Sequence, residues 1–221
     1  VAVIALLFLL IFIVAMKHPQ QKNEYSYLAL GDSYTIGERV APEENFPNQA
    51  INILRKNGLD FKSPRIIAKT GWTTDELQAG ISKTNLERHY DFVSLLIGVN
   101  NQYRKRSVTE YIPQFESLLD QALKFAGTKN SRVIVISIPD WGITPFAHGS
   151  DRKQIALEID EYNRANKAIA DKYKVHYINI TLENRKAAND TELFTEDGLH
   201  PSGKEYKKWA EELASIIKYE L

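Results

Sequence analysis

Short apolar runs, each five to seven residues long and each followed by a stretch of helical spacing, constrain this chain more than any other feature. They fall at residues 25–30 (YSYLAL), 65–69 (RIIAK), 91–97 (DFVSLLI), 132–138 (RVIVISI) and 175–180 (VHYINI). Runs this short and this rich in β-branched residues read as buried strands. Between them, apolar residues recur at helical spacing over 46–57, 74–81, 109–126, 151–173 and 201–219. In 109–126 the stripe is Tyr111, Ile112, Phe115, Leu118, Leu119, Ala122 and Leu123, with Pro113 in the first turn, where proline is tolerated. Strand alternating with helix predicts an α/β fold, a parallel sheet with helices on both faces. No internal repeat interrupts 24–221, which is expected to form one domain. Residues 140–150 and 181–196 read as irregular.

The N-terminal stretch is different. Residues 1–16, VAVIALLFLLIFIVAM, carry no charge and no face alternation. At about 1.5 Å per residue they would reach roughly 24 Å as a helix, short of the roughly 30 Å hydrocarbon core of a bilayer. The sequence does not open on Met, so the expectation is that the segment extends upstream. A signal-peptide core and a membrane anchor compete for it. The lack of a small-x-small cleavage site before Lys17 favours the anchor, and either implies export from the cytoplasm. Residues 17–23 (KHPQQKN) form a polar linker. Lys plus Arg and Asp plus Glu both total 28, so charge gives no case for nucleic acid. Absence of cysteine excludes disulfides, thiolate metal sites and a cysteine nucleophile.

The first apolar run stops at Gly31, and Asp32 and Ser33 follow at once. In parallel α/β sheets, ligands and chemistry gather beyond the carboxyl ends of the strands. Ser33 is therefore a candidate nucleophile, although Gly-Asp-Ser alone is equally ordinary turn chemistry. A serine hydroxyl needs a base to take its proton, usually a histidine oriented by a carboxylate. Of the five histidines, His18 lies in the linker, His89 precedes a strand and His176 sits inside one. His148 and His200 both follow strands, and only His200 has an aspartate three residues before it, Asp197. In a turn entering a helix that spacing brings the carboxylate back to Nδ1 and leaves the other nitrogen for Ser33. Attack on a carbonyl also creates an oxyanion, which needs fixed donors. Gly71 follows the second run, and Gly98-Val99-Asn100-Asn101 follows the third, so their backbone or amide N–H groups would reach the same rim.

These blocks, Gly31-Asp32-Ser33, Gly71, Gly98-Val99-Asn100 and Asp197 to His200, resemble those of the SGNH (GDSL-type) hydrolases. The resemblance spans most of 24–221. It implies a flavodoxin-like three-layer α/β/α sandwich with a five-stranded parallel sheet in order 2-1-3-4-5. It implies Ser33 as nucleophile, His200 as general base and acid, Asp197 as its orienter, and an oxyanion hole from the Ser33 and Gly71 backbone N–H groups plus the Asn100 side chain. The chain departs from the family pattern in reading GDSY for GDSL, and in carrying Asn101 where the third block often has Asp.

The expected activity is ester hydrolysis through an acyl-enzyme, with no metal or cofactor. Tyr34, Trp72, Tyr103, Trp141 and Phe146 lie just past strand ends and are candidates for a substrate wall. The first expectation for substrate is a lipid acyl ester, lysophospholipid or thioester. A sugar O-acetyl group is the alternative. An apolar acyl tunnel would favour the first and a shallow aromatic groove the second. A catalytically silent, membrane-tethered binding module on the same fold is a further alternative, disfavoured by the intact Ser33, Asp197 and His200. A phosphate or flavin binder is disfavoured because GDSYTIG lacks the glycines of a phosphate cradle.

Overall fold

Five strands form one sheet in the order β2-β1-β3-β4-β5, every neighbouring pair parallel. They are β1 (Tyr27–Asp32), β2 (Arg65–Lys69), β3 (Phe92–Leu96), β4 (Val133–Ile136) and β5 (His176–Ile178). The computed structural model describes residues 24–186, 188 and 190–221. The apolar segment 1–16 and the linker 17–23 lie outside the described residues. Among the described residues no helix is long and apolar enough to cross a membrane.

The central strands β1, β3 and β4 are buried at every position. Helices covering both faces of a parallel sheet require such unbroken apolar runs. The outer strands β2 and β5 are short and partly open, which limits the edge available for pairing with another chain. The eight α-helices among the described residues are α1 (Ser33–Ile36), α2 (Phe46–Lys56), α3 (Thr74–Lys83), α4 (Val99–Tyr103), α5 (Val108–Phe125), α6 (Arg152–Tyr173), α7 (Ile180–Lys186) and α8 (Gly203–Tyr219). Helices α2 and α8 pack together on one face, while α3, α5 and α6 pack side by side on the other. This is the flavodoxin-like three-layer sandwich with the 2-1-3-4-5 order.

Sequence and structure differ at particular places. Strand β1 runs two residues beyond 25–30 and includes Gly31 and Asp32, so Ser33 begins a helix directly at the strand's end. Residues 99–103, to which the sequence pattern assigns no element, form α4, and 180–186, read partly as strand and partly as irregular, form α7. Ile112, placed on the apolar stripe of α5, is 39% exposed. The remaining stripe residues are buried, and Tyr111 donates from its hydroxyl to Ile97 O at 2.8 Å across to the strand layer.

The order 2-1-3 reverses the winding direction between β1 and β3. In doubly wound sheets the crevice at such a reversal is the binding site. It opens here between the C-terminal ends of β1, which leads to Ser33, and β3, which leads to Asn100.

Candidate active site

The site begins with how β1 ends. Asp32 caps α1, its Oδ1 accepting the Tyr34 N–H at 3.0 Å. A four-residue helix then holds Ser33 at its first position, and Gly37 ends it with its N–H on Ser33 O at 3.1 Å. Ser33 is therefore fixed by backbone on both sides of its hydroxyl.

The loop after α7 brings the partner. A bridge between Phe194 and Pro201 closes it, and Thr195 N–H donates to His200 O at 2.8 Å. Within that closed loop Asp197 Oδ1 accepts from Thr195 Oγ1 (2.8 Å), Leu199 N (2.8 Å) and His200 N (3.0 Å). Its Oδ2 lies 2.7 Å from His200 Nδ1, and His200 Nε2 lies 3.0 Å from Ser33 Oγ. Two side chains 167 positions apart thus touch. Burial alone would push the Asp197 carboxyl up, but hydrogen bonds from the His200 ring, the His200 and Leu199 N–H groups and the Thr195 hydroxyl hold it well below the usual carboxylate range. Tyr34, buried, backs the imidazole with its ring centroid 5.2 Å away.

Two further elements complete the rim. Gly71 stands at φ +80°, a left-handed conformation that glycine adopts without Cβ strain. Gly98 caps α4 at φ +132°, and a Cβ there would sit 2.8 Å from the Tyr111 ring. Asn100 Nδ2 donates to Trp72 O at 3.0 Å and to Asp32 Oδ2 at 3.3 Å.

Ser33, Tyr34, Gly71, Asn100, Tyr103, Trp141, Phe146 and His200 all line one cavity of about 180 Å³, together with Thr70, Val99 and Leu199. Of the residues singled out as a substrate wall, Trp72 alone does not line it. Its ring lies against Gly80 of α3, where a Cβ would meet it at 2.2 Å, so Trp72 packs the helix rather than the cavity. Tyr103, Trp141 and Phe146 form an aromatic cluster, with centroids 5.2 Å (Tyr103–Trp141), 6.5 Å (Tyr103–Phe146) and 6.2 Å (Trp141–Phe146) apart. Residues 140–150 are not irregular throughout, since two short 3₁₀ turns, Trp141–Ile143 and Pro145–Ala147, carry Trp141 and Phe146. Phe146 N–H donates to Gly198 O at 2.9 Å, tying this loop to the one that bears His200.

The GDSL-like lipase/acylhydrolase family model matches residues 29–208, which hold all of these groups. The chain belongs to this family. Among solved structures it is similar to TesA (17% identity, TM-score 0.69, covering 89% of this chain and 99% of that one). It is also similar to the lipase/acylhydrolase from Enterococcus faecalis (21%, TM-score 0.69, 89% and 97%). A third is Axe2, an acetylxylan esterase from Geobacillus stearothermophilus (21%, TM-score 0.65, 89% and 96%). At these identities the likeness is one of fold. No curated protein matches the sequence significantly.

In this acylhydrolase the short helix α4 braces the rim. Asn101 Oδ1 accepts the Thr74 N–H at 3.1 Å and its Nδ2 donates to Thr74 Oγ1 at 2.8 Å, while the Thr74 hydroxyl turns to Gln114. An Asn at this position can both accept and donate, so it orders the chain Asn101 to Thr74 to Gln114 in one direction. Arg104 Nη2 donates to Gly71 O at 2.6 Å, and its Nη1 meets Glu76 Oε1 at 3.2 Å. Glu76 in turn caps α3 through the Thr73 N–H at 2.9 Å. Sequence reading missed Arg104. Its signal was the four-residue offset from Asn100, legible only once residues 99–103 are known to be helical.

The Asp32 carboxyl is fully buried. Burial pushes it up to about 7, against the Tyr34 N–H and the Asn100 amide, which favour its charged form. Asp140, 1% exposed, holds the aromatic loop through Gly142 N at 2.9 Å and pairs with Arg185 Nε at 2.8 Å. Arg185 also reaches Asp160 on α6 at 2.8 Å. His148 is exposed at the end of the second 3₁₀ turn, and His176 pairs with Glu220 at 2.8 Å; neither lines the cavity. Among the described residues no cluster of His, Asp and Glu is arranged to hold a metal ion.

Proposed function

We propose that Ser33 attacks the carbonyl carbon of a carboxylic ester of short acyl chain, His200 acting as base and acid and Asp197 as its orienter. The observation that carries this reading is the unbroken relay Ser33 Oγ to His200 Nε2 (3.0 Å) and His200 Nδ1 to Asp197 (2.7 Å). A neutral imidazole with its proton on Nδ1, facing Asp197, presents a lone pair on Nε2 to the hydroxyl. As the Oγ–C bond forms, the hydroxyl proton moves to Nε2. Asp197, held ionised, stabilises the imidazolium. His200 then passes that proton to the leaving alcohol oxygen as the ester C–O bond breaks. Water attacks the acyl-Ser33, gives its proton to Nε2, and Ser33 regains a proton as the acid leaves.

The developing oxyanion is assigned to the Ser33 and Gly71 N–H groups and to Asn100. Both Asn100 amide hydrogens are engaged at rest. The one on Asp32, at 3.3 Å, is the longer contact and the one that turns to substrate.

Cavity size supports the short acyl group. At about 180 Å³ the cavity is smaller than the roughly 300–1,000 Å³ usual for a site that takes a drug-sized ligand. This favours the alternative expectation, an acetyl-type ester, over a long lipid chain. The apolar 1–16 segment supports an extracytoplasmic setting for the reaction.

The test is a hydrolysis series of p-nitrophenyl esters from acetate to palmitate, with fluorophosphonate labelling of wild type and Ser33→Ala. Rapid labelling that vanishes in Ser33→Ala, with rates highest at acetate to butyrate, is expected. Labelling that survives the substitution removes Ser33 from the mechanism.

A further inference from the structure

A second cavity of about 980 Å³ adjoins the reactive one. Tyr103 and Trp141 line both, so the two are separated by one aromatic wall. From this geometry, and resting on the hydrolase reading above, we propose that the groove seats the alcohol side of the ester as an extended, uncharged, polyhydroxylated chain. The substrate is then a glycan that carries its short acyl group as a substituent.

Three features of the groove point to that occupant. The first is a line of planar polar side chains already fixed in place. Trp141 Nε1 donates to Gln102 Oε1 at 2.7 Å, Gln102 Nε2 to Glu158 Oε2 at 2.6 Å, and Gln154 Nε2 to Glu158 Oε1 at 2.7 Å. The relay starts at the shared wall and runs out along α6. Gln154 is exposed and keeps a second N–H and its carbonyl oxygen for hydroxyl groups. Side chains held by one another lose little freedom when a ligand arrives.

The second is the wall itself. Tyr103 is 53% exposed although its ring meets Trp141 edge-on at 5.2 Å. A fixed, open aromatic face between two cavities is a surface on which a ring with apolar C–H faces can lie.

The third is charge. The groove carries Asp151, Glu158 and Glu161 against Lys105 and Arg106. Arg106 is committed to Asp75 at 2.5 Å and Glu110 at 3.5 Å. No surplus of positive charge favours a phosphate or carboxylate headgroup, and a lining in which charged and amide side chains break up the apolar surface does not favour an acyl tail. Hydroxyl groups, which both donate and accept, match side-chain amides and carboxylates.

Binding energy gathered away from the reacting carbonyl raises kcat/KM for substrates long enough to reach it. The experiment therefore measures kcat/KM for acetylated xylo-oligosaccharides and acetylated chito-oligosaccharides of one to six sugars, beside p-nitrophenyl acetate and lysophospholipid. In at least one glycan series the ratio of hexamer to monomer is expected to be about tenfold or more. Gln154→Ala, and separately Tyr103→Ala, are expected to bring that ratio back towards one. As a readout free of turnover, Ser33→Ala should bind the longer oligosaccharides more tightly than the shorter in calorimetry. Equal kcat/KM along both series, with Ser33-dependent hydrolysis of p-nitrophenyl acetate intact, overturns the groove assignment alone. Preference for lysophospholipid over every glycan overturns it as well. If Ser33→Ala still turns over p-nitrophenyl acetate, the hydrolase reading falls and the groove assignment with it.

Discussion

Replacing Asp197 by Asn should disable the site while leaving its loop folded, and the geometry says why. Oδ1 accepts three hydrogen bonds, from Thr195 Oγ1, Leu199 N and His200 N, while Oδ2 faces His200 Nδ1. The Asn carbonyl must keep the Oδ1 place, because turning the amide over would set its NH₂ against those donors at about 1 kcal/mol or more each. Its NH₂ then points at Nδ1. That nitrogen becomes an acceptor, the ring proton moves to Nε2, and Nε2 donates to Ser33 instead of receiving its proton. The charge that stabilises the imidazolium goes too, a charge-assisted bond of about 1.5–3 kcal/mol. That bond alone accounts for about 10- to 100-fold in kcat, and with the wrong tautomer added the loss should approach the roughly 10⁴ that the same replacement costs in the serine-protease triad. The assay is kcat/KM on p-nitrophenyl acetate at pH 8 beside thermal melts. Asp197→Asn should melt a few degrees lower, because the hydrogen bonds that hold the carboxyl below its usual range stabilise the fold at pH 8 only while it is charged, and Asp197→Ala, which empties the Oδ1 place as well, should melt lower still, at roughly 2–4 °C per kcal/mol. A loss of activity under tenfold in the folded variant would falsify the tautomer argument.

Ser33→Ala should lose several orders of magnitude in kcat with an unchanged melt, since only the reacting oxygen is removed; normal turnover on p-nitrophenyl acetate would exclude it. Asp32 has a folded value of about 7 against 3.8, so the native state holds its proton more tightly and stability falls as pH rises between those values, levelling off above. The difference in unfolding free energy between wild type and Asp32→Asn should therefore shift across pH 4 to 8 by up to about 4 kcal/mol, and a constant difference in denaturant melts refutes it. Arg104→Ala releases the Gly71 carbonyl and should lower kcat about five- to tenfold with a smaller change in KM, with partial recovery in Arg104→Lys; a pure KM effect would assign Arg104 to substrate instead. Arg185→Met leaves the Asp140 charge buried and unpaired and should destabilise by about 3 kcal/mol in urea unfolding; an unchanged midpoint would show that Asp140 does not rely on that pair.

The sheet was legible in the chain because parallel strands covered on both faces must be continuously apolar, and FVSLL and VIVI are. Residues 65–69 match β2 at both ends, and the long helices shift by a residue or two. The Asp197-to-His200 contact was legible too, because a three-residue offset within one turn is a local property. Helices α4 and α7 were not. VNNQY and ITLENRK are too short and too polar to show an apolar stripe, and contacts from neighbouring elements hold them: Thr74 and Trp72 O on α4, Asp140 and Asp160 on α7.

Pattern and spacing in the sequence determined the order of strands and helices, and hence that Ser33, Gly71, Asn100 and His200 share one end of the sheet. Periodicity is a property of neighbours along the chain. Only the folded arrangement decided that Ser33 and His200 come within 3.0 Å, that Trp72 packs on Gly80, and that the cavity holds about 180 Å³ beside a groove of about 980 Å³. Those quantities depend on how layers pack across distances the chain does not encode locally, where side chains from α4, α6 and the 140–150 loop meet and fill, or leave, the space between them.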